Sequence, residues 1–286
     1  MIMKQAFLIV AHKNFDQLVK LVEYIADEEH HVYLHIDKKS ENLFHQLRDY
    51  FKTYEYVYLL EKQISINWGG FSQVQATLLL LESAYKQKYD FYHLISGQDL
   101  FIKSKQTVDE FLVQYKGYQF LEVIDDEKNL WRVKGYYLLS DCRYSRSRPC
   151  AILNDWCSKF FKKFPIRKNL KGFKIYKGAN WFTLSGDCTT YIMEYLKKHP
   201  EYIRGYKYTL CADEHFFQTL ILNSSFKDTV INETLREIQW NGQSNPKVYT
   251  INDYEMLKQS TALFARKFDS DIDHEIIEKI YEDITV

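Results

Sequence analysis

Two kinds of apolar pattern alternate through the first hundred residues, and that alternation constrains the fold more than any other feature of the chain. Phe7 to Ala11 is a short continuous apolar run, after which Phe15, Leu18, Val19, Val22 and Ile25 recur at helical spacing. His31 to Ile36 (HVYLHI) is rich in β-formers, Leu43, Phe44, Leu47 and Phe51 make a second helical stripe, and Tyr56 to Leu60 reads as a third strand. Ser72 is placed to cap a helix carrying Val74, Leu78, Leu81 and Tyr85, and Phe91 to Ile95 follows as a fourth strand. Such alternation predicts an α/β fold with a mostly parallel central sheet flanked by helices, binding its ligands beyond the carboxyl ends of the strands. Further along, Trp181 to Leu184 reads as a strand, and Cys188 to Leu196 and Asp213 to Leu222 read as helices.

Three of the predicted strand ends are polar. The first runs into Ala11-His12-Lys13, the second into Asp37-Lys38-Lys39-Ser40 and the fourth into Ser96-Gly97-Gln98-Asp99. A solvated loop accounts for any one of them; three at one sheet edge point to a site. Gly69-Gly70, just before the Ser72 helix, reads either as a close approach of a ligand to the backbone, with the helix start favouring an anion, or as a flexible turn.

Composition narrows the classes of partner. With 286 residues and 46% hydrophobic content the chain can bury a sizeable core. Its 38 basic and 38 acidic residues cancel to a net charge of +0, so no global field attracts nucleic acid. Five cysteines, an odd number with no Cys-x-x-Cys pair, fit reduced thiols. The apolar start, Ala6 to Ala11, is too short for a signal-peptide core or a membrane span, and a cytoplasmic location is expected. From Cys142 to Lys177 basic residues such as Arg143, Arg146, Lys162 and Lys163 interleave with Trp156, Phe160, Phe161 and Phe164. Two readings stand for this stretch: peripheral contact with the inner face of the plasma membrane, or a solvated helix whose aromatics pack on the core.

Two places could carry chemistry. Asp213 and Glu214 fall at the start of an apolar, helix-like stretch, where acids complement the dipole, and where either could equally take a proton from a hydroxyl. Near the carboxyl end, Arg266 and Lys267 sit between Phe264 and Phe268, placed to meet a departing anion. The DSDID string from Asp269 reads as a weak Asp-x-Asp metal motif or as acids near a helix start.

Taken together, HIDKKS (35–40), WGGFSQVQA (68–76), HLISGQDLFIKS (93–104), KGANWFTLS (177–185), CADEHFFQTLILNS (211–224), LREIQW (235–240) and LFARKFD (263–269) resemble the core-2/I-branching glycosyltransferase family, which includes peptide O-xylosyltransferases. The resemblance runs in order from about residue 5 to about residue 275. It implies a single glycosyltransferase domain over 1–286 with a GT-A-type fold, about 1–124 holding the nucleotide sugar and about 125–286 the acceptor and catalytic base. It also implies a bacterial form reduced to the catalytic domain. The implied reaction is inverting transfer from a UDP-sugar, carrying N-acetylglucosamine or else xylose or galactose, to a glycan or lipid-linked glycan in polysaccharide assembly, without a metal. Glu214 matches the general base. Lys267 matches a diphosphate contact, with Lys247 or Arg266 as its partner, and His12, Asp37 and Lys38 match the nucleotide pocket. Arg236, Trp240, Trp181, Asp213 and Asp99 make up the substrate-binding set. A metal-dependent GT-A transferase of another family and a non-catalytic glycan- or nucleotide-binding module remain the alternatives.

Overall fold

The computed structural model describes residues 3–124, 130–145, 147–161, 167–242 and 245–285. The alternation of apolar patterns becomes β1 (Gln5–Ala11), α1 (Phe15–Ile25), β2 (His30–Ile36), α2 (Glu41–Tyr50), β3 (Val57–Leu59), α3 (Ser72–Ala84) and β4 (Phe91–Ser96). β1 lies between β2 and β4 in parallel register, with Ala11 opposite Ile36 and Val10 opposite Ser96, and β3 pairs in parallel with β2. Successive side chains of β1 serve opposite faces, as a strand's must. Phe7, Ile9 and Ala11 join the core under α1, whereas Ala6 and Leu8 join the core that includes Leu80 and Leu81 of α3.

The remaining elements are β5 (Asp99–Phe101), α4 (Lys105–Gln114), β6 (Gln119–Leu121), α5 (Trp131–Lys134), α6 (Arg148–Phe161), β7 (Phe182–Ser185), α7 (Gly186–Lys198), α8 (Pro200–Tyr206), α9 (Phe216–Leu222), β8 (Val230–Ile231), β9 (Arg236–Ile238), α10 (Tyr254–Gln259), β10 (Phe264–Arg266) and α11 (Glu275–Ile284). The main sheet has seven strands in the order β3-β2-β1-β4-β7-β6-β8, mostly parallel, with β7 antiparallel to both neighbours. A small sheet, β5-β10-β9, brings together residues 99–101, 264–266 and 236–238. The architecture is the flanked, mostly parallel α/β sheet that the alternation predicts.

Four local expectations are revised. Ser72 is the first residue of α3 rather than its cap, and the capping carboxylate comes from Asp141, which accepts the Ser72 backbone N–H at 3.0 Å and its hydroxyl at 2.5 Å. A Cβ on Gly70 would lie 2.3 Å from Asp141 Oδ1, so this glycine makes room for the chain's own anion rather than for a ligand. Asp213 and Glu214 do not open the first turn of α9: Cys211 turns left-handed at φ 51°, Ala212–Glu214 form a single 3-10 turn, and α9 begins at Phe216. Within the basic stretch, Arg146, Lys162, Lys163 and Phe164 lie outside the described residues. In α6, Trp156 and Phe160 do not pack on the core, at 73% and 59% exposure, whereas Phe161 is half-buried against Tyr136.

All five cysteines are free. Among the described residues no helix is long and apolar enough to cross a membrane.

Candidate active site

Parallel pairing of β2, β1 and β4 carries His12, Asp37 and Asp99 to one sheet edge, as the polar strand ends suggest. Asp99 has no solvent exposure. The Ser96 N–H donates to its Oδ2 at 3.0 Å, and Arg266 donates to its Oδ1 at 2.5 Å. The guanidinium of Arg266 stacks on Trp181, 4.4 Å from the ring centre. Arg236, also buried, donates to the carbonyls of Leu94 at 2.7 Å and Thr234 at 2.5 Å, with its Nε 3.8 Å from Asp99. Burial pulls the Arg236 pKa down to about 10 against the opposing pull of Asp99. Asp99 therefore orients two arginines from behind, and the expectation that it meets donor or acceptor directly is corrected.

In front of these arginines lies a cleft of 920 Å³. Trp181, Asp213, Glu214, Arg236, Trp240 and Arg266 all line it, so four separate stretches of the chain meet in one place. Trp68 and Trp240 also line it, at 52% and 61% exposure, and offer apolar faces on which a sugar or base ring could stack. Arg132 Nη1 lies 2.6 Å and Lys177 Nζ 3.5 Å from the same oxygen of Glu214, Oε2. Among the described residues no donor reaches Oε1. The turn bearing Glu214 is pinned by its own carbonyl, which accepts the Gly178 N–H at 2.8 Å. A Cβ on Gly178 would lie 1.8 Å from the Glu122 carbonyl oxygen, so only glycine fits there without moving the backbone.

The cations divide into engaged and unengaged. Lys13 pairs with Asp269, and Lys247 pairs with Asp253 at 2.5 Å. Of the expected site residues, His12, Asp37, Lys38, Asp99, Lys247 and Lys267 do not line the cleft, and Lys267 adjoins it only through Arg266. Asp37 instead accepts the Lys39 N–H at 2.9 Å and faces the Lys39 ammonium at 3.4 Å, closing a turn at the end of β2. Of the two partners expected for Lys267, Arg266 is its chain neighbour in the cleft wall and Lys247 is held elsewhere. Lys267 itself has no carboxylate within ion-pair distance among the described residues. Desolvation, then Arg266 and Lys13, lower its pKa, with Asp269 opposing. His12 feels the same cluster: desolvation at the strand end and then Lys13 lower its pKa, Asp37 opposes, and Lys267 and Arg266 add to the lowering. Positive charge packed this closely favours an anion over a cation. Two of the three DSDID acids are otherwise occupied, Asp269 with Lys13 and Asn14 and Asp273 with the N–H groups of Ile251 and Ile276.

Burial and then the charge of Glu214 raise the Asp213 pKa from 3.8 to about 7. Its Oδ1 is buried without a hydrogen-bond partner. Between those pH values the folded chain binds a proton that the unfolded chain has released, so stability falls as pH rises through the window. Asp213→Asn removes that cost. Relative to wild type, the variant is expected to gain on the order of 2–4 kcal/mol at pH 8 and little at pH 4. Denaturant titrations at the two pH values check this, and an equal effect at both would overturn it.

Arg132 was not among the residues that sequence reasoning singled out. It belongs to none of the recognisable strings, and its link to Glu214 spans 82 positions. Lys177 heads the KGANWFTLS string, but spacing gives no sign that its ammonium faces Glu214.

The Core-2/I-Branching enzyme family model matches residues 5–259, stopping short of Arg266 and Lys267. Xylosyltransferase 1 of Rattus norvegicus is 24% identical over 95% of this chain and 34% of its own length. Xylosyltransferase 2 of Homo sapiens is 23% identical over 96% and 33%, and the Ciona intestinalis xylosyltransferase 22% over 97% and 34%. The chain spans about a third of the length of these relatives. A solved structure of mouse xyloside xylosyltransferase 1 overlaps 91% of this chain and 97% of its own at a TM-score of 0.38 and 6% identity, too slight a likeness to carry an argument. With a family match over nearly the whole folded length, the chain belongs to the Core-2/I-Branching enzyme family of glycosyltransferases.

Proposed function

We propose that this chain is an inverting, metal-independent glycosyltransferase of GT-A type that moves one sugar from UDP to a glycan hydroxyl. One observation carries the reading: a single cleft holds Glu214, bound at Oε2 and met by no donor at Oε1 among the described residues, together with Arg266, whose neighbour Lys267 lacks a carboxylate partner among them. The acceptor oxygen attacks the anomeric carbon while Glu214 takes the hydroxyl proton. The bond from that carbon to the diphosphate oxygen breaks, and UDP leaves with the electron pair. Arg266 and Lys267 meet the charge that develops there, a task a cation performs in other sites. Attack from the face opposite UDP inverts the anomeric centre.

The donor sugar is N-acetylglucosamine, xylose or galactose, and the relatives' names favour keeping xylose in that set. The chain acts as one domain at the cytoplasmic side of a membrane, on a free or lipid-linked glycan, with 142–177 as the contact stretch. Thermal unfolding with a panel of UDP-sugars in EDTA tests donor class and metal independence together. At 100 times its dissociation constant the right donor adds about 2.7 kcal/mol, roughly 5 °C for a chain of this size. No shift in EDTA but a shift with Mn²⁺ would move the reading to a metal-dependent transferase. Binding without UDP release in the presence of acceptor would move it to a binding module.

A further inference from the structure

An amphipathic helix on a globular protein ordinarily turns its polar face outward. α6 does the reverse. Its inward side is held by buried polar groups: Asn154 Oδ1 accepts the Leu139 N–H at 2.9 Å, and Ser158 donates to the Tyr137 hydroxyl at 2.9 Å. Its outward side carries Ile152, Leu153, Trp156 and Phe160, at 53%, 51%, 73% and 59% exposure. The spacing i, i+1, i+4 and i+8 sets these four on one stripe. A continuous apolar stripe facing water marks an interaction surface.

Charge selects the occupant. From 131 to 161 the sequence holds six basic residues, Arg132, Lys134, Arg143, Arg146, Arg148 and Lys159, against two acids, while the whole chain is neutral. Both acids are engaged, Asp141 at the start of α3 and Asp155 with Lys159 at 2.6 Å, and with Arg132 held by Glu214 this leaves Lys134, Arg143 and Arg148 without a carboxylate partner among the described residues. A second copy seated isologously on this face would bring the same cations against one another. An anionic bilayer satisfies both features, its headgroups meeting the cations and its acyl boundary taking the aromatic stripe.

We infer that α6 is an interfacial helix, lying in the plane of an anionic membrane with Ile152, Leu153, Trp156 and Phe160 buried beneath the headgroups. This rests on the reading of the chain as a transferase acting on glycans, and sharpens it: the acceptor is presented at a bilayer surface. The helix is coupled to the cleft through short connections. Arg132 reaches Glu214, and Asp141 caps the helix whose Gln73 lines the cleft.

Co-sedimentation of the full chain with vesicles of phosphatidylcholine, alone or mixed equally with phosphatidylglycerol, reads the proposal without donor or acceptor. Wild type is expected to pellet with the mixed vesicles at low salt and to be released at high salt. The exposed double substitution Ile152→Ser with Trp156→Ser lowers the partition about tenfold or more, while its melting temperature and its UDP release with a water-soluble acceptor stay at wild-type values. Wild type remaining in the supernatant with both vesicles overturns the proposal, as does a double variant that pellets equally well. A dimer in solution that the double substitution splits assigns the stripe to a second copy and also overturns it. Loss of transferase activity in Glu214→Gln leaves the vesicle result untouched, so the two readings fail separately.

Discussion

Glu214→Gln lowers turnover by about 100-fold or more while UDP affinity stays close to wild type. The amide keeps the shape of the side chain and still offers an oxygen to Arg132, so the cleft wall is retained. What disappears is an oxygen able to take the acceptor proton. Arg132 and Lys177 both engage Oε2, and among the described residues no donor reaches Oε1, so on the proposed reading loss of the carboxylate acts on the chemical step. Single-turnover kinetics and UDP titration on the same protein separate the two effects. Turnover within a few-fold of wild type would remove Glu214 from the role, leaving Asp213 as the acid in that turn to examine.

Lys267→Ala cuts turnover by on the order of 100- to 1,000-fold, the scale of losing one preorganised partner to a developing anion. It also weakens UDP binding. Stability is not expected to fall with it. Desolvation and the neighbouring Arg266 and Lys13 already disfavour the Lys267 ammonium in the folded chain, so its removal relieves repulsion. Lys247→Ala is the matched control. Its ammonium is spent on Asp253, so turnover stays within a few-fold of wild type. If Lys247→Ala proved the more damaging of the two, the diphosphate contact would belong to the 245–250 stretch instead.

The parts of the fold legible in the sequence are those where one helix or strand carries its own period. Phe15–Ile25 appears as a helix with the bounds its apolar spacing gives, and β1, β2 and β4 fall within one or two residues of their apolar runs. The small sheet was hidden, because strands of three residues have no period to read and β5 pairs with β10 across more than 160 positions. Capping of α3 was hidden for the same reason, its carboxylate arriving from Asp141, 69 positions away. Within the candidate site, Trp181, Glu214, Arg236, Trp240 and Arg266 of the recognised strings converge while Asp37 and Lys38 stay outside, and the structure adds what strings cannot hold. Asp99 turns inward to the arginines, Lys247 is paired elsewhere, and Arg132 reaches Glu214 from a short helix with no motif of its own.

Gly178 has a bearing on how such a cleft can change over generations. Every single-base change that alters residue 178 and keeps the chain intact adds a β-carbon, and a β-carbon there collides with the Glu122 carbonyl beside the turn that bears Glu214. The position is closed to gradual drift. Trp68 and Trp240, exposed at the cleft, face no such barrier. Lineages descending from this sequence are therefore free to vary the rim of the cleft while inheriting its floor unaltered.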